Sequence, residues 1–197
     1  MKTLILILGI MIVSQTISAQ DITLPKPKKT GGIPLMEALS KRSSHREFSK
    51  EEIDNQTLSN LLWAAWGYNR EGMRTAPSAN NKQCIDLYVV KKSGAYRYDA
   101  LNNKLIQVNS EDVRKNAGKQ EFVWEAPLNF IYVADKEKGG WPQTDCGFIA
   151  QNVYLFCASE NLVTVVRGFF DVDDVKKALK LKDNQETILT QTIGKRK

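Results

Sequence analysis

The segment Lys41-Arg42-Ser43-Ser44-His45-Arg46-Glu47-Phe48 decides how this chain is read. It sets two guanidinium groups four residues apart, with two hydroxyls between them. In a helix that spacing would place Arg42 and Arg46 on one face. Guanidinium forks donate bidentately to phosphate oxygens, and the Ser43 and Ser44 hydroxyls suit the lone pairs that remain. Two readings fit the octapeptide: a basic helix end facing water, or a site for a phosphate monoester. The rest of the chain has to choose between them.

Upstream, Lys2 precedes an apolar run from Leu4 to Val13, and Ile17-Ser18-Ala19 ends it with a small residue. This is the pattern of a secretory signal cleaved after Ala19, too short for a convincing membrane span. A retained N-terminal anchor is the other reading of that run. Residues 1–19 are therefore expected to be a signal peptide and residues 20–33, with Lys26-Pro27-Lys28-Lys29, a flexible lead-in. Residues 34–197 are expected to form one domain of a protein exported to the periplasm, with no stable membrane insertion after cleavage. The full chain carries 28 Lys and Arg against 22 Asp and Glu. Removing Lys2 with the signal leaves 27 − 22 = +5, spread without the basic stripe and interleaved aromatics that a nucleic-acid surface needs.

The scarce residues exclude chemistry. His45 is the only histidine, which removes multi-histidine zinc sites and makes Ser-His or Cys-His nucleophile systems improbable. Cys84, Cys146 and Cys157 are three in number and form no CxxC pair. They read as three buried thiols, or as one bridge with a thiol left over. No metal site is expected, nor any catalytic side chain, and the chemistry falls to something bound. There is no GxGxxG or GxxxxGK[ST] motif to hold a nucleotide in the Rossmann or P-loop manner.

Periodicity gives mixed elements without βαβ alternation, hence an α+β domain. Pro34 to Leu39 reads as a short helix, and Ser49-Lys50-Glu51-Glu52 as a capping box. From Asp54 to Trp66 apolar residues recur at helical spacing until Gly67. Strands are expected over Ile85–Val90, Ala95–Tyr98, Lys104–Val108, Leu128–Ala134, Leu162–Arg167 and Thr187–Ile193. Asn109 or Ser110 should start a polar helix, Gln120–Glu125 a second, and Val172–Leu179 a later one. Asp145–Glu160 reads as a helix apolar on nearly every face, which belongs mid-molecule or in an interface.

A second informative stretch runs Thr75-Ala76-Pro77-Ser78-Ala79-Asn80-Asn81-Lys82-Gln83. Small residues let a flat ligand approach the backbone, and side-chain amides offer donor and acceptor together to a heterocycle edge. An ordinary Pro/Ser/Asn turn has the same composition.

Taken together, Arg42-Ser43-Ser44-His45-Arg46 and Pro77-Ser78-Ala79-Asn80-Asn81-Lys82-Gln83 resemble two motifs of the nitroreductase family of FMN-dependent oxidoreductases. Asp145–Asn152, Val165-Val166-Arg167-Gly168-Phe169 and Gln191-Thr192-Ile193-Gly194-Lys195 resemble its central helix, a strand end beside the flavin ring, and its closing strand. Trp63–Gly67 and Tyr96–Asp99 look most like the branch that includes peptide-azoline dehydrogenases. The resemblance implies a three-layer fold, with a mainly antiparallel central sheet flanked by helices and a long apolar central helix. It also implies an intertwined homodimer with FMN at the interface.

Residue by residue, the resemblance implies that Arg42 and Arg46 pair with the FMN phosphate, with Ser43 and Ser44 donating. Asn81 would hydrogen-bond the ring edge, lined by Pro77, Ser78, Ala79 and Gln83. The Arg167–Gly168 backbone would approach N5, and Lys195 or Arg196 would complete the phosphate charge. The chain departs from the family pattern in three places. Cys84 stands where many relatives have proline, and the chain stops soon after Gly194-Lys195-Arg196. Arg167 stands where other branches place an acid, which would bring positive charge toward the reduced flavin.

The implied activity is ping-pong two-electron transfer, to or from a small organic substrate such as a nitroaromatic or quinone. A nicotinamide donor is scarce outside the cytoplasm, so an exported enzyme would need another reductant or would oxidise its substrate. The alternatives are a non-catalytic exported protein binding FMN or another phosphorylated ligand on the same scaffold, and an unrelated basic binding protein.

Overall fold

A computed structural model describes residues 20–197. The signal-peptide reading of residues 1–19 lies outside the described residues. In chain order the regular elements begin with β1 (Ile22–Thr23), α1 (Leu35–Lys41), α2 (Asn55–Trp66), β2 (Tyr68–Arg70) and β3 (Met73–Arg74). Next come β4 (Ile85–Lys91), β5 (Gly94–Asp99), β6 (Lys104–Asn109), α3 (Glu121–Glu125) and β7 (Leu128–Asp135). The series closes with α4 (Pro142–Ser159), β8 (Leu162–Arg167), α5 (Val172–Leu179) and β9 (Gln185–Lys195).

β4 and β7 are apolar at nearly every position, the pattern of strands covered on both faces. They pair with each other at the centre of a seven-stranded sheet ordered β1-β6-β5-β4-β7-β9-β8, in which every pairing is antiparallel. Alternation then sends Ile85, Leu87, Val89, Phe130 and Tyr132 to one face, where α2 and α4 pack. Tyr88, Val90, Ile131 and Val133 go to the other, beneath α5 and Phe122 and Trp124 of α3. The result is the expected α+β arrangement of helix, sheet and helix layers. The three cysteines are buried free thiols. Burial pushes Cys84 up to about 11 and raises Cys146 and Cys157 further.

Three expectations are corrected. Residues 20–33 are not loose: β1 pairs with β6, Leu24 is buried, Lys28 N–H donates to Asn60 Oδ1 (2.8 Å), and Ser59 Oγ donates to Pro25 O. The capping box at Ser49 does not start a helix. Ser49 N–H donates to Lys195 O (2.9 Å) and Phe48 bridges Arg196, so this segment runs extended beside the end of β9. The cap of α2 is Asp54, whose Oδ1 accepts from the N–H groups of Gln56 and Thr57 at 2.9 Å. No α-helix starts at Asn109 or Ser110. Asp112 takes the Arg114 N–H and guanidinium locally, leaving one tight turn over Arg114–Ala117.

In α4, Cys146, Ile149, Ala150, Val153 and Cys157 are buried, whereas Gly147, Phe148 and Gln151 are exposed. The antiparallel hairpin β2–β3 and the edge strand β1 carry no periodic signal, because two or three residues are too few to show one.

The reassigned cap is testable. Asp54→Ala should cost about 1 kcal/mol in urea unfolding, and Ser49→Ala, which removes only a turn contact, less than about 0.5 kcal/mol. The reverse order would restore the helix start at Ser49.

Candidate functional site

The basic octapeptide is not helical beyond Lys41, so Arg42 and Arg46 do not share a helix face. α1 ends when Arg42, its C-cap, turns out of the helix at φ −57°, ψ 122°. From there the chain runs along the edge strand β8, where His45 N–H donates to Thr164 O (3.1 Å). Tyr154 of α4 ties this segment to the sheet. Its hydroxyl accepts from Val166 N–H (3.0 Å), satisfying an edge donor of β8, and lies 2.8 Å from Ser44 Oγ. The Arg42 guanidinium sits over its ring, 5.3 Å from the centroid.

Beside this cluster is a cavity of about 310 Å³ lined by Lys41, Ser43, His45, Tyr154, Thr164 and Arg196, among others. Ser43 Oγ and His45 Nε2 lie 2.7 Å apart at its wall. Lys41 is tied to Glu37 (2.6 Å) and Lys195 to Glu51. Of the two basic residues expected from the C-terminus, Arg196 therefore lines the cavity and Lys195 is paired elsewhere. Arg46 is exposed and makes no hydrogen bond or ion pair among the described residues. The donor set of Ser43, His45 and Arg196, with Arg42 and Ser44 held by Tyr154, fits a phosphate dianion.

The second stretch forms a backbone arrangement that costs conformational energy. Asn80, Asn81 and Gln83 all have φ between 47° and 52°, a left-handed region that ordinary residues seldom occupy. Side chains hold them there. Gln83 N–H donates to Ser78 Oγ (3.1 Å), and Gln83 Nε2 donates to Gly72 O (2.7 Å) and Asn81 Oδ1 (2.8 Å). Asp145, buried in the first turn of α4, accepts from Ala79 N–H (3.2 Å) and from the Cys84 thiol (3.6 Å). Arg74 donates from Nε to Gln83 Oε1 (2.9 Å) and from Nη1 to Trp66 O (2.8 Å), stacked against Trp66 and Tyr68. Strain of this kind, fixed by several partners, is a feature of ligand-binding loops.

Sequence reasoning missed Arg74, Asp145 and Tyr154. Arg74 lies in an unrecognised hairpin, and the other two look like ordinary helix residues until their partners are known. No hydrogen bond or ion pair among the described residues joins the Arg42–Arg46 cluster to the Pro77–Gln83 loop. Pro77 and Asn81 are exposed, and Ser78 and Ala79 half-buried.

Arg167, at the end of β8, sends its guanidinium inward. It is 7% exposed, donates to Ala117 O (3.1 Å) and Asn129 Oδ1 (3.2 Å), and lies over Phe122. Among the described residues Nε has no partner and no carboxylate forms an ion pair with the guanidinium, and burial pushes this arginine down to about 10. Gly118 leaves room for it, since a Cβ there would lie 2.0 Å from Nη1 and the guanidinium would have to move. The charge expected beside a flavin ring is thus turned into the protein, and exposed Gly168 comes directly after it.

Comparison with known proteins adds a consistent set of likenesses. The profile described as Nitroreductase family matches residues 39–195. A candidate nitroreductase of Methanocaldococcus jannaschii is 30% identical over 184 residues, covering 83% of this chain and 92% of that protein. The crystal structure of a candidate nitroreductase from Ralstonia eutropha superposes with a TM-score of 0.84 at 40% identity, covering 90% of each chain. A structure named FMN-dependent nitroreductase, from Clostridium difficile, shares the fold at 20% identity and a TM-score of 0.63, covering 82% of this chain and 87% of that one.

The uncompensated Arg167 has a measurable consequence. Its proton is held less tightly folded than unfolded, so in the window above about pH 10 the unfolded chain binds more protons and stability should rise with pH. Relative to Arg167→Met, the wild type should gain stability from pH 9 to 11 in denaturant titrations, with the two within about 1 kcal/mol at pH 7. A relative loss over that window would mean that an anion compensates the guanidinium.

Proposed function

Because the chain belongs to the nitroreductase family, we propose that it is an exported FMN-dependent oxidoreductase that works as a homodimer and passes two electrons to or from a small organic substrate such as a nitroaromatic or quinone. The observation that carries the reading is the cavity where Ser43, His45 and Arg196 converge beside the Tyr154-held Arg42. Bound FMN would supply the redox chemistry that this chain's side chains lack.

The protein's part is to bind, orient and shield. Arg196, Ser43 and the Arg42 guanidinium would hold the phosphate, and stacking on Tyr154 already limits the rotamers that Arg42 must give up. Asn81, in its left-handed conformation, would present an amide to the ring edge, with Pro77, Ser78 and Ala79 beneath it. Gly168, exposed and without a side chain, lets backbone come close to a flat ligand.

Two features support the dimer. The phosphate cradle and the ring-edge loop share no hydrogen bond or ion pair among the described residues, so a second copy is the natural means of completing a site from both. In addition α1 and α4, which pack together, leave Leu35, Met36, Leu39 and Phe148 exposed. These are large apolar side chains of the kind that association covers. Export rests on the Lys2–Ala19 pattern. The likeness of Trp63–Gly67 and Tyr96–Asp99 to peptide-azoline dehydrogenases favours substrate oxidation, which would dispense with a nicotinamide donor.

The test is flavin retention. Purified protein mixed with FMN and desalted should stay yellow and bleach with dithionite, and should sediment as a dimer. Arg42→Ala and Arg196→Ala should each weaken FMN binding about tenfold or more, the scale of a lost charge-assisted hydrogen bond, whereas Lys195→Ala should change it less than about threefold. Colourless protein in excess FMN would overturn the reading. Retained flavin that no donor–acceptor pair turns over would leave a binding protein on this scaffold.

A further inference from the structure

A second concave site shares no lining residue with the His45 cavity. It is a cleft of about 490 Å³ between the 26–29 lead-in, the β2–β3 hairpin and the β5–β6 turn, a volume in the range of small-molecule sites. Its walls are aromatic and already fixed. Trp63 Nε1 donates to Tyr68 O (3.1 Å), which pins the indole. Arg74 stacks on the Tyr68 ring at 4.0 Å, and buried Tyr98 lies 3.5 Å from Asn103 Oδ1 through its hydroxyl. Leu101, 80% exposed, stands on a turn that Asp99 holds by accepting from the N–H groups of Leu101 and Asn102.

The charges around this apolar floor are unequal. Lys26, Lys29 and Arg70 line the cleft with only Glu71 opposing them, and none of the three cations has an ion pair among the described residues. Lys29 Nζ lies over the Trp63 ring, 5.3 Å from its centroid, so one cation already sits against the aromatic wall. Rigid rings under a cationic rim suit a flat hydrophobic body that carries a negative group. The surrounding chain also makes the cleft specific to this protein's folded lead-in, because residues 26–29 form one wall and are anchored by the Lys28–Asn60 hydrogen bond.

We propose that this cleft binds a small aromatic anion, an aromatic carboxylate or sulfonate, at a site distinct from the phosphate cradle. The ring lies against Trp63, Tyr68 and Leu101, and the anionic group meets Lys29 and Arg70. The Gly72 carbonyl in the hairpin turn accepts from both Asn81 and Gln83, so a ligand here touches the element that holds the ring-edge loop. Binding itself does not depend on the flavin reading.

The experiment is calorimetric titration of the purified full chain, with FMN in excess, using 2-naphthoate and the neutral 2-naphthol as probes. Naphthoate should bind at least about fivefold tighter than naphthol in low salt and lose that advantage as salt is raised. The exposed double variant Lys29→Gln/Arg70→Gln should weaken naphthoate at least about fivefold and leave naphthol unchanged. Leu101→Asp, also at an exposed position, should weaken both. Arg42→Ala should affect neither. Absence of naphthoate binding, equal affinity for the two probes, or sensitivity to Arg42→Ala without sensitivity to the double variant would overturn the proposal.

Discussion

The insertion of β9 between β7 and β8 is the constraint on which the rest of the structure depends. This strand is the last regular element, yet it occupies an interior position of the sheet, pairing with β7 from Gln185 to Ile193 and with β8 from Thr190 to Lys195. Without it β8 would have no partner and β7 would become an edge. β9 also carries the inner polar contacts. Thr192 donates to Asn129 Oδ1 (2.7 Å), Thr164 donates to the Thr192 carbonyl (2.7 Å), and Gln191 bonds the Tyr132 hydroxyl and the Ala150 carbonyl. Each of these groups is buried and would cost free energy unpaired, so together they specify one register for the C-terminal strand.

That register positions the cradle. Because Leu162 pairs with Lys195, the end of β9 emerges where the Arg42–Phe48 segment passes, and Phe48 bridges Arg196 there. Gly194 lets this happen: a Cβ would sit 3.1 Å from Pro127 and 3.2 Å from Phe48, closer than most real contacts. A basic residue at the opposite end of the domain sequence from Ser43 thereby reaches the same cavity. Sheet closure and assembly of the anion site are one event, and the site should form only in the folded domain.

Much of this was legible from pattern. The six longer strands, α2 and α5 are accounted for by periodicity and end signals, and the two site stretches stand out by composition and order. The rest was decided by competition that a linear reading does not contain. Ser49 has a good capping pattern, but its N–H is taken by β9 and the true cap, Asp54, comes later in the chain. The i,i+4 spacing of Arg42 and Arg46 implied a shared helix face, and the pull of the β8 edge on His45 broke it. Lys195 and Arg196 are equivalent in sequence, and only the position of Glu51 separates a paired lysine from a cavity-lining arginine. Arg167 could be foreseen as a charge, though not as one turned inward with a glycine cleared beside it.

The two halves of the candidate site are supported by different physics, and this bears on how a cofactor would be held. The cradle is assembled by long-range sheet pairing and is as rigid as the sheet. The loop is a local turn whose three left-handed residues are kept in place by side chains from β3 and α4 and by the Gly72 carbonyl of the hairpin turn. Asparagine tolerates the left-handed region better than glutamine does, so Gln83 carries the larger conformational cost, and such a conformation persists only where several partners hold it; Arg74, Gln83 and Asp145 therefore act as a set and not as additive contacts. Asp145 links that set to α4, the same helix that supplies Tyr154 to the cradle two turns and more along. On the proposed reading, α4 is therefore the member that fixes phosphate and ring-edge contacts relative to one another, within a chain through its two side chains and between copies through its open face.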